Sequence, residues 1–347
     1  MKMKQIIGIT MGDPAGIGAE VIVKSLKNQK IYDDCIPVIY GDYYAIKDAV
    51  SFCYTKQLIN VIKKPEEAKG EYGVIDLIDF SLLKEGGWEY KKVSSLCGQA
   101  AYTYVTSAIK DAMNKHISAV VTGPLNKESM HLAGYNYAGH TEIFAEKTKT
   151  KSYGMMLTSP SLKVIHCTTH CSLREATDKI NKERVFEVIK LADYAMRLLG
   201  VENHRIAVAG LNPHSSENGL FGCEEEKEII PAIEKAKKEN INVDGPIAPD
   251  TVFVKAMGGQ YDIVVAMYHD QGHIPLKLSG FKLDSRTNKY TSLSGVNTTI
   301  GLPIIRTSVD HGTAFGKAGE GRANEESMLD AIDMAIKMAK NWDKVKK

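Results

Sequence analysis

The sequence predicts an α/β fold with mostly parallel sheets. Three features carry that expectation. Short β-branched runs alternate with longer amphipathic stretches along the whole chain. Most of those runs are continuously apolar, as strands covered on both faces are. Polar loops rich in glycine or histidine follow several of the runs directly, and open parallel sheets carry ligand-binding residues beyond their carboxyl strand ends.

In chain order, Gln5–Thr10 is the first expected strand and Ile36–Tyr40 the second. Gln99–Lys115 has helical spacing and leads into a strand at Ser118–Thr122. Strands follow at Leu162–Cys167, Arg205–Ala209 and Asp262–Met267, with helices at Lys182–Leu199 and Glu224–Lys238 between them. Leu278–Ser294 is polar, contains Asp284, Ser285, Arg286, Thr287 and Asn288, and reads as a protruding hairpin or loop. The closing helix, Ser327–Lys340, sets Met328, Ala331, Ile332, Ala335, Met338 and Ala339 along one apolar stripe. At ~150 residues per domain, 347 residues suggest two lobes.

Composition removes several function classes. Lysine and arginine exceed aspartate and glutamate by 44 − 42 = +2, which leaves no global basic field for nucleic acid. No apolar run approaches the ~18 residues of a membrane span, and Met1–Asp13 is too short in its apolar part for a secretory signal. A cytoplasmic protein is expected. The six cysteines are sparse and form no CxxC pair, so a disulfide framework is not expected.

Two groups of residues carry chemistry. The first strand runs into Gly12-Asp13-Pro14-Ala15-Gly16-Ile17-Gly18, a strand–loop–helix junction that can aim backbone N–H groups at an anion. Its GxxxGxG spacing is neither the Rossmann GxGxxG nor a Walker A loop. Among the ten histidines, His170, His214 and His269 each follow a strand end. Three neutral imidazoles suit a divalent cation with a position left open for substrate, and Asp250 and Asp270 could add oxygen ligands or outer support. His140 and Thr141 stand at a helix start, while Lys277 and Arg306, with Asn297 between them, offer cations for phosphate or carboxylate.

Six strings resemble the 4-hydroxythreonine-4-phosphate dehydrogenase (PdxA) family, in family order and over nearly the whole chain. They are Gly8–Gly18, Thr122–Lys127, Gly139–Glu142, Leu211–His214, Tyr268–His273 and Gly301–Phe315. The resemblance implies a two-lobed α/β/α fold of the isocitrate and isopropylmalate dehydrogenase type, not a Rossmann fold. It implies lobes at 1–130 plus 308–347 and at 131–307, with the active site in the cleft and at a homodimer interface. His170, His214 and His269 fall at the family's divalent metal positions, with zinc, magnesium, manganese or cobalt as candidates. His140, Thr141, Lys277, Asn297 and Arg306 fall at its substrate positions, and Asp250 and Asp270 at acidic positions near the metal. His311, Gly312, Thr313 and Ala314 resemble an adenine-side loop for NAD.

The implied reaction is metal-dependent oxidation of a 4-phosphorylated 3-hydroxy four-carbon acid by NAD, with decarboxylation. The proton acceptor stays open between Asp250, Asp270 and metal-bound water. Two strings, His170-Cys171-Ser172-Leu173-Arg174-Glu175 and Gly272-His273-Ile274-Pro275, look more like the branch acting on D-threonate or D-erythronate 4-phosphate than like the pyridoxine-biosynthetic branch. After Phe315 the family usually has Asp-Ile-Ala-Gly, where this chain has Gly316-Lys317-Ala318-Gly319. A phosphate acyltransferase shares the architecture but needs no histidine triad, and a non-catalytic metabolite-binding module would tolerate its loss.

Overall fold

The computed structural model describes residues 4–286 and 289–345, so Thr287 and Asn288 of the expected hairpin lie outside the described residues. The chain begins with β1 (Gln5–Thr10), α1 (Gly18–Ser25), α2 (Gln29–Asp34), β2 (Cys35–Gly41), α3 (Tyr43–Phe52), β3 (Leu58–Ile62) and β4 (Val74–Asp79). Next come α4 (Ser95–Met113), β5 (Ala119–Thr122), α5 (Lys127–Leu132), α6 (His140–Lys147), β6 (Gly154–Thr158), β7 (Lys163–His166) and α7 (Leu173–Lys179). They are followed by α8 (Lys182–Leu198), β8 (Ile206–Ala209), α9 (Ile230–Lys238), β9 (Val243–Ile247), α10 (Pro249–Met257) and β10 (Ile263–Ala266). The chain ends with α11 (His269–Gly280), β11 (Phe281–Asp284), β12 (Lys289–Leu293), β13 (Val296–Ile300), β14 (Arg306–Val309) and α12 (Glu326–Val345). The α/β alternation and the mostly parallel pairing are those expected from the sequence.

Two compact units divide the chain: Met1–Lys151 with Leu302–Lys340, and Ser152–Gly301 with Asn341–Lys347. In the first, strands run β3-β4-β2-β1-β5-β14 and every pairing is parallel. Ile7 lies between Pro37 and Ala119 in that register. It is fully buried, as are Ile9, Val38, Ile39, Val120 and Val121, which is why these runs are apolar without alternation. Ser94 caps α4 by accepting from the Cys97 N–H at 3.2 Å. The stripe on α12 is buried at Ala331, Ile332, Ala335 and Met338, and Thr307 Oγ1 donates to Ala331 O at 2.8 Å.

In the second unit the strand order is β13-β6-β7-β10-β8-β9. Here β7, β10, β8 and β9 are parallel, whereas β6 pairs antiparallel with both β13 and β7. Sequence reasoning missed β6 because Gly154-Met155-Met156-Leu157-Thr158 carries only one β-branched residue. Inward residues of β7, β8 and β10 (Val164, Ala207, Ala209, Val264, Ala266) close against Val252, Phe253 and Ala256 of α10 and Leu276 of α11. The expected helix Glu224–Lys238 instead opens with a π-helical turn at Glu225–Ile229 before α9. The expected hairpin is present as the antiparallel pair β11–β12.

The unit boundaries differ from the expected 130/131 and 307/308. Residues 131–151 belong to the first unit because α5 and α6 pack on α4, and β14 belongs there because Arg306 pairs with Val120 of β5. At the other end, Asn341 Nδ2 donates to Leu198 O at 3.1 Å and ties the chain terminus to the second unit.

Gly98 sets the approach of α4 to α5: a Cβ there would come within 1.9 Å of Ser129 O. Alanine is better than glycine inside a helix by about 1 kcal/mol. Overpacking against a backbone carbonyl sits at the upper end of the usual penalty of roughly 1–3 kcal/mol. Gly98→Ala is therefore expected to lower stability, read as a lower urea midpoint with an unchanged slope; an unchanged or raised midpoint contradicts it.

Candidate functional site

Because β7, β10 and β8 are parallel neighbours, their carboxyl ends lie on one edge of the second unit's sheet. His170 follows β7, His269 opens α11 directly after β10, and His214 follows β8. The His170 and His269 ring centroids are 5.9 Å apart. Two imidazoles sharing a cation, each nitrogen ~2.1 Å from it, place their centroids roughly 5–6 Å apart, so the pair fits a divalent ion in kind and in spacing. Asp270 Oδ1 accepts from His269 Nδ1 at 2.6 Å, which leaves Nε2 as the nitrogen with the available lone pair. His214 instead faces Asp250 on α10, with Nδ1 4.0 Å from Oδ2. Among the described residues no three His, Cys, Asp or Glu side chains stand together closely enough to hold an ion.

A pocket of about 490 Å³ opens beside the pair, lined by His170, Cys171, Leu173, Tyr268, His269 and Asp270 among others. That volume suits a small metabolite. Lys277 and Asn297 are not in this lining. Lys277 sits in the last turn of α11 with its ammonium 4.4 Å from the Phe281 ring centroid, and Asn297 on β13 donates from Nδ2 to Met155 Sδ at 3.2 Å.

Three supporting residues were not singled out as site residues from sequence. His273 lies one helical turn beyond His269, and its ring stacks on that of His269 with centroids 3.6 Å apart and planes 12° apart. Its Nδ1 donates to His269 O at 2.9 Å. Behind it stands His166, with ring centroids 4.7 Å apart. Burial, and next the His273 imidazole, push His166 down to about 3, so it is neutral at pH 7. Gly272 lets α11 lie on β7, since a Cβ there would come within 2.4 Å of His166 Nε2. Gln271 is the third: its Oε1 accepts from Met267 N at 2.6 Å and its Nε2 donates to Gly210 O at 2.8 Å. One buried amide thus joins the end of β10 to the end of β8. The i, i+4 spacing of His269 and His273 was the available signal.

The first unit holds a separate anion-type constellation. Arg306 opens β14, is 3 % exposed, and donates from Nη2 to Thr122 Oγ1 at 3.0 Å. Its guanidinium lies 5.7 Å from the Phe144 ring centroid of α6. Burial pushes Arg306 down to about 9, with the Glu142 carboxylate acting in the opposite sense. His140 and Thr141 are the first two residues of α6, whose N-terminus has no side-chain cap. His140 Nε2 is buried without a hydrogen-bond partner. Burial first, and then the Arg306 charge, hold His140 well below the usual imidazole range. A buried guanidinium beside a neutral imidazole and uncapped helix N–H groups favours an incoming anion.

The loop expected to serve a dinucleotide packs on the first glycine loop, also in the first unit. Ile17 N–H donates to Thr313 O at 3.1 Å, and a Cβ at Gly16 would lie 3.0 Å from Thr313. His311 Nδ1 donates to Gly312 O at 3.0 Å, and Ala314 adopts a left-handed backbone with φ 43°. Gly12, at φ 77°, brings its α-carbon against Pro124 O, so the Thr122–Lys127 string joins the same cluster of loops. A Cβ at Gly316 would meet nothing within 4 Å, so no steric constraint excludes a carboxylate there.

Comparisons with known proteins identify the family. The model of the family described as pyridoxal phosphate biosynthetic protein PdxA matches residues 33–335. A protein of Oceanobacillus iheyensis, provisionally named a D-threonate 4-phosphate dehydrogenase, is 49% identical over 341 residues, covering 98% of this chain and 99% of that one. D-threonate 4-phosphate dehydrogenase of Cupriavidus necator is 44% identical over 335 residues, covering 96% and 97%. Among solved structures, 4-hydroxythreonine-4-phosphate dehydrogenase from Klebsiella pneumoniae superposes with a TM-score of 0.85 at 43% identity, over 97% of this chain and 98% of that one. Matched over most of its length in both sequence and fold, the chain belongs to the PdxA family and is a dehydrogenase of the 4-hydroxythreonine-4-phosphate dehydrogenase type.

Proposed function

We propose that the enzyme oxidises the 3-hydroxyl of a 4-phosphorylated four-carbon acid, with NAD as hydride acceptor and a divalent metal ion, and that the product loses carbon dioxide. D-threonate 4-phosphate or D-erythronate 4-phosphate is the favoured substrate. The names of the relatives from Oceanobacillus and Cupriavidus support it, as do the strings His170–Glu175 and Gly272–Pro275. 4-Phosphooxy-L-threonine is the second reading, supported by the name of the Klebsiella structure. The observation that carries the reading is the placement of His170, His214 and His269 after three neighbouring parallel strands.

Those three imidazoles would hold the metal. When bound, such an ion supplies a Lewis acid that lowers the pKa of the hydroxyl and polarises the ketone. Asp270 keeps the proton on His269 Nδ1, and Asp250 stands to do the same for His214. Asp250, Asp270 or water would take the hydroxyl proton, and NAD, when bound, would supply the acceptor for the hydride of carbon 3. The C1–C2 bond of the β-keto acid then breaks, its electron pair moves towards the ketone, and carbon 2 takes up a proton. Arg306 would pair the substrate phosphate, with His140 and Thr141 fixing its orientation, and Lys277 and Asn297 serve other polar groups of the substrate. His311–Ala314 would serve the NAD adenosine. The reading includes a homodimer, for which exposed Val254, Met257, Ile274, Leu278 and Leu283 supply apolar surface on the second unit.

Three outcomes test it. NADH should form from NAD with one of the three phosphorylated acids, stop with EDTA and resume with added divalent ion; EDTA-insensitive turnover removes the metal from the mechanism. Arg306→Ala should raise KM for the phosphorylated acid about 10- to 100-fold, the size of a lost charge-assisted anion contact of roughly 1.5–3 kcal/mol. KM for NAD should stay within about twofold, and an equal rise in both refutes the anion role. The pH dependence has a definite sign: Arg306 is charged at neutral pH and loses its proton as pH rises through about 9. KM for the phosphorylated acid should therefore climb above that pH in the wild type and be flat there in Arg306→Ala.

A further inference from the structure

His214 is carried by a turn with an unusual run of left-handed backbone. After Pro213 the backbone is left-handed at five successive non-glycine residues, with φ of 52° at His214, 55° at Ser215, 66° at Ser216, 48° at Glu217 and 59° at Asn218. Residues with a Cβ adopt this region rarely and singly, so such a run persists only when its ends are held. Both ends are held. A Cβ at Gly210 would come within 2.5 Å of Ser215 Oγ, and one at Gly222 within 2.6 Å of Asn212 Nδ2, so the turn folds back on its own stem.

The stem is gripped by a single buried carboxylate. Glu225, first residue of the π-helical turn, is 1 % exposed. Its Oε1 accepts from the backbone N–H of Leu211 at 2.8 Å and of Asn212 at 2.7 Å. Its Oε2 accepts from Asn212 Nδ2 at 2.9 Å, and the same amide donates to Glu224 Oε2 at 2.8 Å. Burying a carboxylate is costly unless hydrogen bonds replace its water, and here these bonds come from the two residues that precede Pro213-His214. A π-helical turn brings Glu225 to them, and such turns recur at functional sites.

We propose that Glu225 is the positioning residue of His214: its carboxylate fixes residues 211–212 and thereby holds the left-handed turn that presents the imidazole to a metal ion. The inference rests on the reading of His214 as a metal ligand. Glutamine at 225 keeps the shape but replaces one carboxylate oxygen by an NH₂ that opposes the Asn212 amide.

The test is a titration of metal-free protein with Zn²⁺ by calorimetry and with Co²⁺ by visible absorption, alongside urea unfolding. Glu225→Gln is expected to weaken Zn²⁺ binding 10- to 100-fold and to alter the Co²⁺ spectrum, as loss of an outer support typically does. In a His214→Ala background the same change should add nothing, because Glu225 acts through that ring. Equal Zn²⁺ affinity of Glu225→Gln and wild type overturns the proposal, as does an undiminished loss in the His214→Ala background. Should Glu225→Gln fail to fold, Asn212→Ala, which removes only the side-chain amide, decides: a loss of about tenfold supports the proposal and wild-type affinity overturns it. Wild type that binds neither ion refutes the metal reading itself.

Discussion

Strands buried on both faces are the constraint on which the rest of this structure depends. A parallel strand whose two faces are covered by helices favours apolar side chains along its length. β8 and β10 are entirely aliphatic, and in β1, β5 and β7 the buried polar residues Thr10, Thr122 and His166 each end their strand. Chemistry is thereby pushed to the first residues beyond the strands, which is where His170, His214 and His269 stand in one unit and the glycine loop and Gly123-Pro124 stand in the other. The element order that makes β7, β10 and β8 adjacent does more for the histidines than any property of the histidines themselves.

Polar groups placed at those ends are then costly, and the molecule handles the cost differently in each case. Glu225 is given backbone and amide donors; Gln271 is spent on joining two strand ends. His166 resolves its burial by staying neutral. Arg306 keeps a charge at neutral pH against strong desolvation, with Thr122, Phe144 and the more distant Glu142 around it. The first three read as scaffold, and the last as a group whose environment improves when an anion arrives.

Gly316–Gly319 follows the loop proposed for the NAD adenosine and departs from the string usual in the family. Gly319, at φ 76°, lies on the Tyr90 ring, and Arg322 Nη2 donates to Gly316 O at 3.4 Å. Gly316 itself borders open space, so packing does not require glycine there.

The sequence by itself determined the α/β class, the residues of β1 and its glycine loop, the ends of α8, the closing amphipathic helix and the family. Each follows from local signals: apolar runs, helical spacing, and strings of fixed spacing. It also marked His170, His214 and His269, because unusual residues beyond strand ends are visible in one dimension, and Arg306 as a cation for an anionic group. Only the tertiary structure decided that residues 131–151 join the first unit, that β6 runs antiparallel, and that His273 stacks on His269 with His166 behind it. It alone showed His214 turned to Asp250 on a left-handed turn gripped by Glu225. Those facts depend on which distant segments share a space, and on which backbone conformations their packing enforces. No local pattern of residue types encodes either.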